Sequence, residues 1–167
     1  AGLTGPSTTH EHERRCPMPR PRPTRDEYVA WRTVTTRWRD DDAYGHLNNA
    51  TYYELFDTAV NAHLYEATGV DVRRLPQIGV VAETSCQYFR EIGFPEPIEM
   101  GLVCERLGTS SAIYRIGLFQ GDGDEAAAEG RFVHVYVDNT DPARPVTPMP
   151  DVIRAAVAPL VRGEEPS

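Results

Sequence analysis

The sequence predicts an α+β domain in which a curved antiparallel sheet of about five strands wraps one long central helix. Three observations predict it. A β-branched run with period two stands at 31–39, an apolar stripe with helical spacing follows over 51–68, and from Pro76 to Asp138 the chain reads as four long strand-like segments. With 167 residues and 40% hydrophobic content, there is material for one buried core.

The elements can be justified in order. Residues 1–27 are rich in Pro, Arg, Thr and His, lack hydrophobic periodicity and include "CPMPRPRPTR", so a flexible, extended arm is expected there. His10 and His12 form an HxH pair in it, but a mobile tail without a third ligand makes a poor metal site. The folded domain is expected over 28–162, followed by a short tail at 163–167. In "WRTVTTRWR", residues 31–39, Val34, Thr36 and Trp38 alternate with Thr33, Thr35, Arg37 and Arg39, which predicts a strand with one buried face.

From Thr51 to Thr68 the period changes. Tyr52, Leu55, Phe56, Ala59, Val60 and His63 follow the three-and-four spacing of a helix face, and Leu64 and Ala67 widen it. Asn48 or Asn49 can cap the start, and Gly69 suits the left-handed end. Such a helix runs roughly 27 Å at 1.5 Å per residue, long enough to form the centre of the fold.

After Pro76 come "QIGVVAETSCQYFR", "PIEMGLVCER", "SSAIYRIGLFQ" and "GRFVHVYVD", separated by Gly/Pro breaks or by the turn-rich "GDGDEAAAEG". They are expected to pair as an antiparallel meander. A proline-rich link then leads to a short helix begun by Asp151, carrying Val152, Ile153, Ala156 and Val157 toward the body.

Composition narrows the chemistry. All 17 basic residues are arginines, which removes Schiff-base lysines, lysine general bases and the P-loop lysine. The net charge is −8, with residues 1–25 at +3 and the remainder at −11, so the body would repel a nucleic-acid backbone. A few arginines could still form a local site for a phosphorylated ligand. Cys16, Cys86 and Cys104 form no CxxC pair, which argues against a disulfide framework and a zinc site; the latter two fall in strands and read as buried thiols. There is no apolar run of eighteen or more residues and no hydrophobic stretch near the start, so the expected setting is cytoplasmic, without a membrane partner.

The stretch "RWRDDDAYGHLNNATYYELFD" carries the candidate chemistry. Asp40, Asp41 and Asp42 read in two ways: as a polar turn, capping backbone or pairing with Arg37 or Arg39, or as carboxylates facing a cleft. The helix start near Asn48–Ala50 favours the second, because first-turn N–H groups lack intrahelical acceptors and carry partial positive charge. A carboxylate across a glycine turn from such an oxyanion donor is a minimal acyl-hydrolysis site. Rival motifs fit less well. A haloacid-dehalogenase-type DxD needs an apolar strand and a lysine, and a calcium loop needs oxygen ligands where the chain turns apolar. A metal set of Asp40, Asp42 and His46 reads more readily as a solvated loop.

The same stretch resembles the signature of the hot-dog-fold acyl-CoA thioesterases of the 4-hydroxybenzoyl-CoA thioesterase type, in which a strand, D-x-D-x-x-G-H-x-N-N and the long central helix follow one another. The resemblance extends over roughly residues 30–160, through "ETSCQYFREI", "ERLGTSSAIYRIGLF", "EGRFVHVYVD" and "RPVTPMPDVIRAAV". It implies a hot-dog fold and hydrolysis of an acyl-CoA thioester to free acid and coenzyme A, without a cofactor. It places the catalytic carboxylate on Asp42, as nucleophile or general base, and the oxyanion donor on the Asn49 backbone N–H. Gly45 becomes the turn glycine, His46 and Asn48 organise the turn and touch substrate, and Tyr52 lies where substrate binds. Asp40 is framework, and Asp41 departs from the Thr or Cys common in relatives. Tyr52, Phe56, Val60 and His63 fit an acyl tunnel as well as a core.

The resemblance also implies a homodimer or homotetramer with the site between subunits. Arg90, Arg106, Arg115 or Arg131 would then be candidates for the coenzyme A phosphates, and Glu54, Asp57 and Glu83 for a second acid. Two other readings keep the fold: a non-catalytic acyl-CoA-binding protein, and an acyl hydratase or dehydratase, whose His and acid placements are not found. A carrier-protein thioesterase is disfavoured by the acidic body.

Overall fold

The computed structural model describes residues 21–162. Helix α1 (Asn49–Thr68) is capped by Asn48, whose side-chain oxygen accepts the Ala50 N–H at 3.0 Å. It ends at Gly69, whose φ of 69° is the left-handed position that lets its N–H return to the Tyr65 carbonyl. Tyr52, Phe56, Ala59, Val60 and Leu64 are buried, and Leu55 and His63 are half-buried. Ala67, expected in the stripe, is exposed near the last turn.

Five strands, β1 (Ala30–Val34), β2 (Gln77–Tyr88), β3 (Ile98–Leu107), β4 (Ser111–Phe119) and β5 (Ala128–Asp138), form one antiparallel sheet in the order β1-β3-β4-β5-β2. The expected four-strand meander is therefore corrected. Only β3, β4 and β5 follow one another; β2 pairs with β5, leaving β3 to pair with β1. The cause is the link from Phe89 to Pro97, which is no tight hairpin. It buries Ile92 and accepts the Leu47 N–H on the Ile92 carbonyl at 2.7 Å, so it crosses the end of the sheet before β3 begins.

Strand β1 is also shorter than the expected 31–39. Its ladder ends where Val34 meets Ile98, the first residue of β3, so residues 35–39 have no partner strand. Trp38, expected on a buried face, instead starts the 3-10 turn Trp38–Asp40 and is 82% exposed.

The helix packs on one face of the sheet, and Phe56 lies against Gly130 of β5. A Cβ at Gly130 would stand 2.5 Å from the Phe56 ring, so this close approach requires glycine. Full burial of such a ring contributes roughly 2–3 kcal/mol. Helix α2 (Asp151–Val157) closes the core with Ile153, Ala156 and Val157. Val152 is exposed, contrary to expectation, because a one-residue step turns about 100° away from that stripe.

The expected arm lies outside the described residues up to residue 20, and so do His10, His12, Cys16 and the tail 163–167. Its last residues are fixed to the body. Ala126 N–H donates to the Pro23 carbonyl at 2.8 Å, Arg25 N–H donates to Asp124 at 3.1 Å, and Arg25 pairs with Glu99 at 2.7 Å. No helix of the described residues is long and apolar enough to cross a membrane.

Candidate active site

After the Trp38–Asp40 turn the chain doubles back, and facing rungs hold the two limbs. Asn48 N–H donates to the Asp40 carbonyl at 2.8 Å, Asp41 bridges Leu47, and Asp42 N–H donates to the His46 carbonyl at 2.7 Å. At the tip, Gly45 N–H reaches the Asp42 carbonyl at 3.2 Å with Gly45 at φ 79°. Nothing would touch a Cβ at Gly45, so the glycine is required by conformation and not by space. The result sets Asp42 opposite His46, immediately before the start of α1.

The three carboxylates have separate partners. Asp40, buried, accepts the Arg37 N–H at 2.7 Å and Arg37 Nε at 3.0 Å. Burial alone would raise its pKa, but the Arg37 side chain, N–H and charge outweigh that and hold it below the usual carboxylate range. Asp41 turns the other way and accepts the Phe94 N–H at 3.1 Å. Asp42 accepts the Tyr44 N–H at 2.8 Å and the His46 N–H at 3.3 Å, both on Oδ1. Its Oδ2 makes no hydrogen bond among the described residues.

Asn48 spends its side chain on the cap, while Asn49 is the first residue of α1, with no intrahelical acceptor for its N–H. The Asn49 side-chain oxygen accepts the Tyr88 hydroxyl, and the Tyr88 ring meets Tyr52 edge-on at 4.9 Å. Tyr52 is buried, and burial, reinforced by Cys86, Glu91 and Asp42 and opposed by Arg90, pushes its phenol up to about 12. Tyr52 is thus an uncharged hydroxyl at neutral pH.

His46 Nε2 lies 2.9 Å from the Glu91 carboxylate. Gly45 and His46 line a shallow cleft of about 280 Å³ with Glu91, Gly93, Phe94 and Gln120. Asp42, Asn48, Asn49 and Tyr52 do not line this cleft; Asn48 caps α1, and Asn49 and Tyr52 belong to its first turn. Among the described residues no group of three or more His, Cys, Asp and Glu gathers as a metal site.

The arginines divide. Arg115 pairs with Glu129 at 3.2 Å and Glu27 at 3.5 Å, and Arg131 pairs with Glu83 at 2.7 Å, which also occupies Glu83 as a second acid. Arg90 donates to the Gln120 carbonyl beside the cleft, and Arg106 is exposed on β3. Cys104 is buried as expected, whereas Cys86 is half-buried; burial pushes both thiols up to about 11.

A model of the thioesterase-like superfamily matches residues 36–157. The chain belongs to the thioesterase-like superfamily. Among solved structures, this thioesterase-like chain is similar to the PA5185 protein of Pseudomonas aeruginosa strain PAO1. The two share 46% identity over 84% of this chain and 97% of the other, with a TM-score of 0.79. The PA2801 protein of Pseudomonas aeruginosa is 30% identical over 78% and 98% of the two chains, with a TM-score of 0.69. Slr0204, a 1,4-dihydroxy-2-naphthoyl-CoA thioesterase from Synechocystis, is 12% identical over 77% and 94%, also at 0.69, and shares the fold. No curated protein matches the chain. The five-stranded sheet around a long helix is the hot-dog fold of these thioesterase-like neighbours.

Sequence reasoning missed Tyr88, Glu91, Phe94 and Gln120. All four sit 46 or more residues from Asp42 in sequence, and only the β2–β5 pairing and the crossing link bring them near. The aromatic ending of "TSCQY" was the available signal for Tyr88.

Proposed function

We propose that this thioesterase-like protein hydrolyses an acyl-CoA thioester, of the 4-hydroxybenzoyl-CoA thioesterase type, with Asp42 and the Asn49 N–H carrying the chemistry. The supporting observation is the hairpin that puts the Asp42 carboxylate opposite His46 at the entry to α1, one oxygen held by two backbone donors and Oδ2 available. The thioester carbonyl would sit at the Asn49 N–H, where the helix N-terminus favours developing negative charge. Asp42 then attacks the carbonyl carbon to give a mixed anhydride, which water opens, or takes a proton from the attacking water. In both routes the carbon–sulfur bond breaks and coenzyme A leaves as a thiolate. Gly45, His46, Asn48 and Tyr52 shape the substrate-binding surroundings, and Arg90 is the arginine best placed for a phosphate.

The reading includes a homo-oligomer. Strand β2 is a sheet edge whose outer half is exposed, including Val81 at 48% and Tyr88 at 49%, and such an edge is a template for a second copy. A mass of one chain in light scattering, at concentrations where hydrolysis is seen, would refute the oligomer.

The test is an acyl-CoA panel spanning aryl and alkyl groups, with coenzyme A release and free acid both measured. Wild type should release both in equal amounts. Binding without turnover would mark an acyl-CoA-binding protein, and an altered acyl chain still on coenzyme A would mark a hydratase. Label on Asp42 after a single turnover in ¹⁸O water would mark the anhydride route, because water leaves it there only by opening that intermediate at the Asp42 carbonyl.

A further inference from the structure

Tyr88 joins the sheet to the first turn of α1. It ends β2 opposite Ala128 of β5, and its hydroxyl donates to the side-chain oxygen of Asn49. Its ring meets Tyr52 edge-on at 4.9 Å, and Tyr52 stands three residues after Asn49 on the same side of the helix. Tyr88 therefore grips that turn at two points.

The strand end is itself firmly held. The ladder between β2 and β5 runs without a shift from Glu83–Val133 to Tyr88–Ala128, and the next two N–H groups, of Phe89 and Arg90, both donate to the Ala127 carbonyl, at 2.8 and 3.1 Å. A residue carried on such a fixed element can place another.

On the helix side, the Asn48 carbonyl shares its peptide plane with the Asn49 N–H and accepts the Thr51 N–H at 2.9 Å. The Asn49 N–H therefore moves with the first turn as a unit. That turn is tied to the Asp42 hairpin by the Asn48 N–H, which donates to the Asp40 carbonyl at 2.8 Å, and to β2 by Tyr88. At 49% exposed, Tyr88 leaves no buried gap when its hydroxyl is removed, and a phenylalanine would still meet Tyr52.

We propose that Tyr88 is a positioning residue for thioester hydrolysis, an inference that rests on the assignment of that chemistry to Asp42 and the Asn49 N–H. Its hydroxyl holds the first turn of α1 against the end of β2, and so fixes where the N–H stands for the thioester carbonyl. An oxyanion donor acts on charge that develops only in the transition state, so loosening it lowers kcat and leaves KM nearly unchanged.

The test compares acyl-CoA hydrolysis by wild type, Tyr88→Phe, Asn49→Ala and the double variant, with Asp42→Asn as the reference for the reaction itself. Tyr88→Phe should lower kcat by about three- to fifteenfold, the loss expected for one hydrogen bond, with KM within about twofold and the thermal midpoint within about 3 °C of wild type. Asn49→Ala removes the acceptor but keeps the backbone N–H, and should show the same loss. The double variant should stay within about twofold of either single one, because both changes delete one contact. The proposal is overturned if Tyr88→Phe keeps kcat within about twofold of wild type, if its loss lies in KM, or if the two changes multiply. In those cases a strong loss in Asp42→Asn leaves the hydrolysis assignment standing and removes Tyr88 alone. Near-normal turnover by Asp42→Asn, or none by wild type, overturns both. If Tyr88→Phe does not fold, Asn49→Ala decides by the same kcat and KM criteria.

Discussion

The carboxylate of Asp41 accepts the backbone N–H of Phe94 at 3.1 Å, joining the Asp42 turn to the link between β2 and β3. A Cβ on the neighbouring Gly93 would stand 2.9 Å from the same carboxylate, so the contact is close on both sides. The middle acid of the triplet therefore anchors a loop, and it faces away from Asp42. Asp41→Ala should cost about 1.5–3 kcal/mol, the usual range for a hydrogen bond to a charged group. Urea unfolding should show this, and Asp41→Asn, which keeps an acceptor, should recover about half.

Asp42→Asn separates chemistry from architecture. The amide oxygen can still accept the Tyr44 and His46 N–H groups, so the midpoint of thermal unfolding should stay within about 2 °C of wild type. The kcat for acyl-CoA hydrolysis should fall by about 10²–10⁴, the range for loss of a general base or nucleophile. Near-normal turnover in a folded Asp42→Asn protein would dismiss the assignment.

Gly130→Ala tests the central packing. The new methyl would enter the space of the Phe56 ring, and overpacking of this kind costs about 1–3 kcal/mol. Combining it with Phe56→Leu should lose less than the two single changes added together, because the second change makes room for the first.

His134 predicts an acid limb of stability. Tyr114, Phe132, Tyr136 and Gly79 face its ring, and none is charged near neutrality. Its folded pKa of about 4 lies below the ordinary 6.5, so the unfolded chain binds the proton first as pH falls. This contribution is complete above about pH 6.5 and is lost progressively as pH falls toward 4, by about 3 kcal/mol in all. Unfolding free energies measured between pH 7 and 4.5 should show the slope, and His134→Phe should flatten it.

Local signals made much of this legible. The helix followed from its stripe, its Asn48 cap and Gly69, because those are properties of neighbouring residues. The strands were recognisable from their β-branched alternation, but the position of β2 was not, because its partner β5 is chosen by the crossing link and not by anything within β2. In the site, the backbone path of the turn could be read from Gly45 and the polar run. Asp41 could not, since its partner Phe94 lies 53 residues away and offers only a main-chain donor. Arg115 and Arg131 read as ligand candidates until their carboxylate partners on other strands were known.

The sheet order also bears on how the chain reaches this state. The pairings β3–β4 and β4–β5 join segments adjacent in the chain, whereas β1 must find β3 and β2 must wait for β5, with Gln77 opposite Asp138. Loop-closure entropy makes the two outer pairings the slow ones. The Asp42 turn follows one of these edges, and Tyr88, which ends the other, reaches Asn49 just after that turn. A nascent chain released up to Phe119 holds every acid of the triplet and the whole of α1, but offers β2 no strand to join.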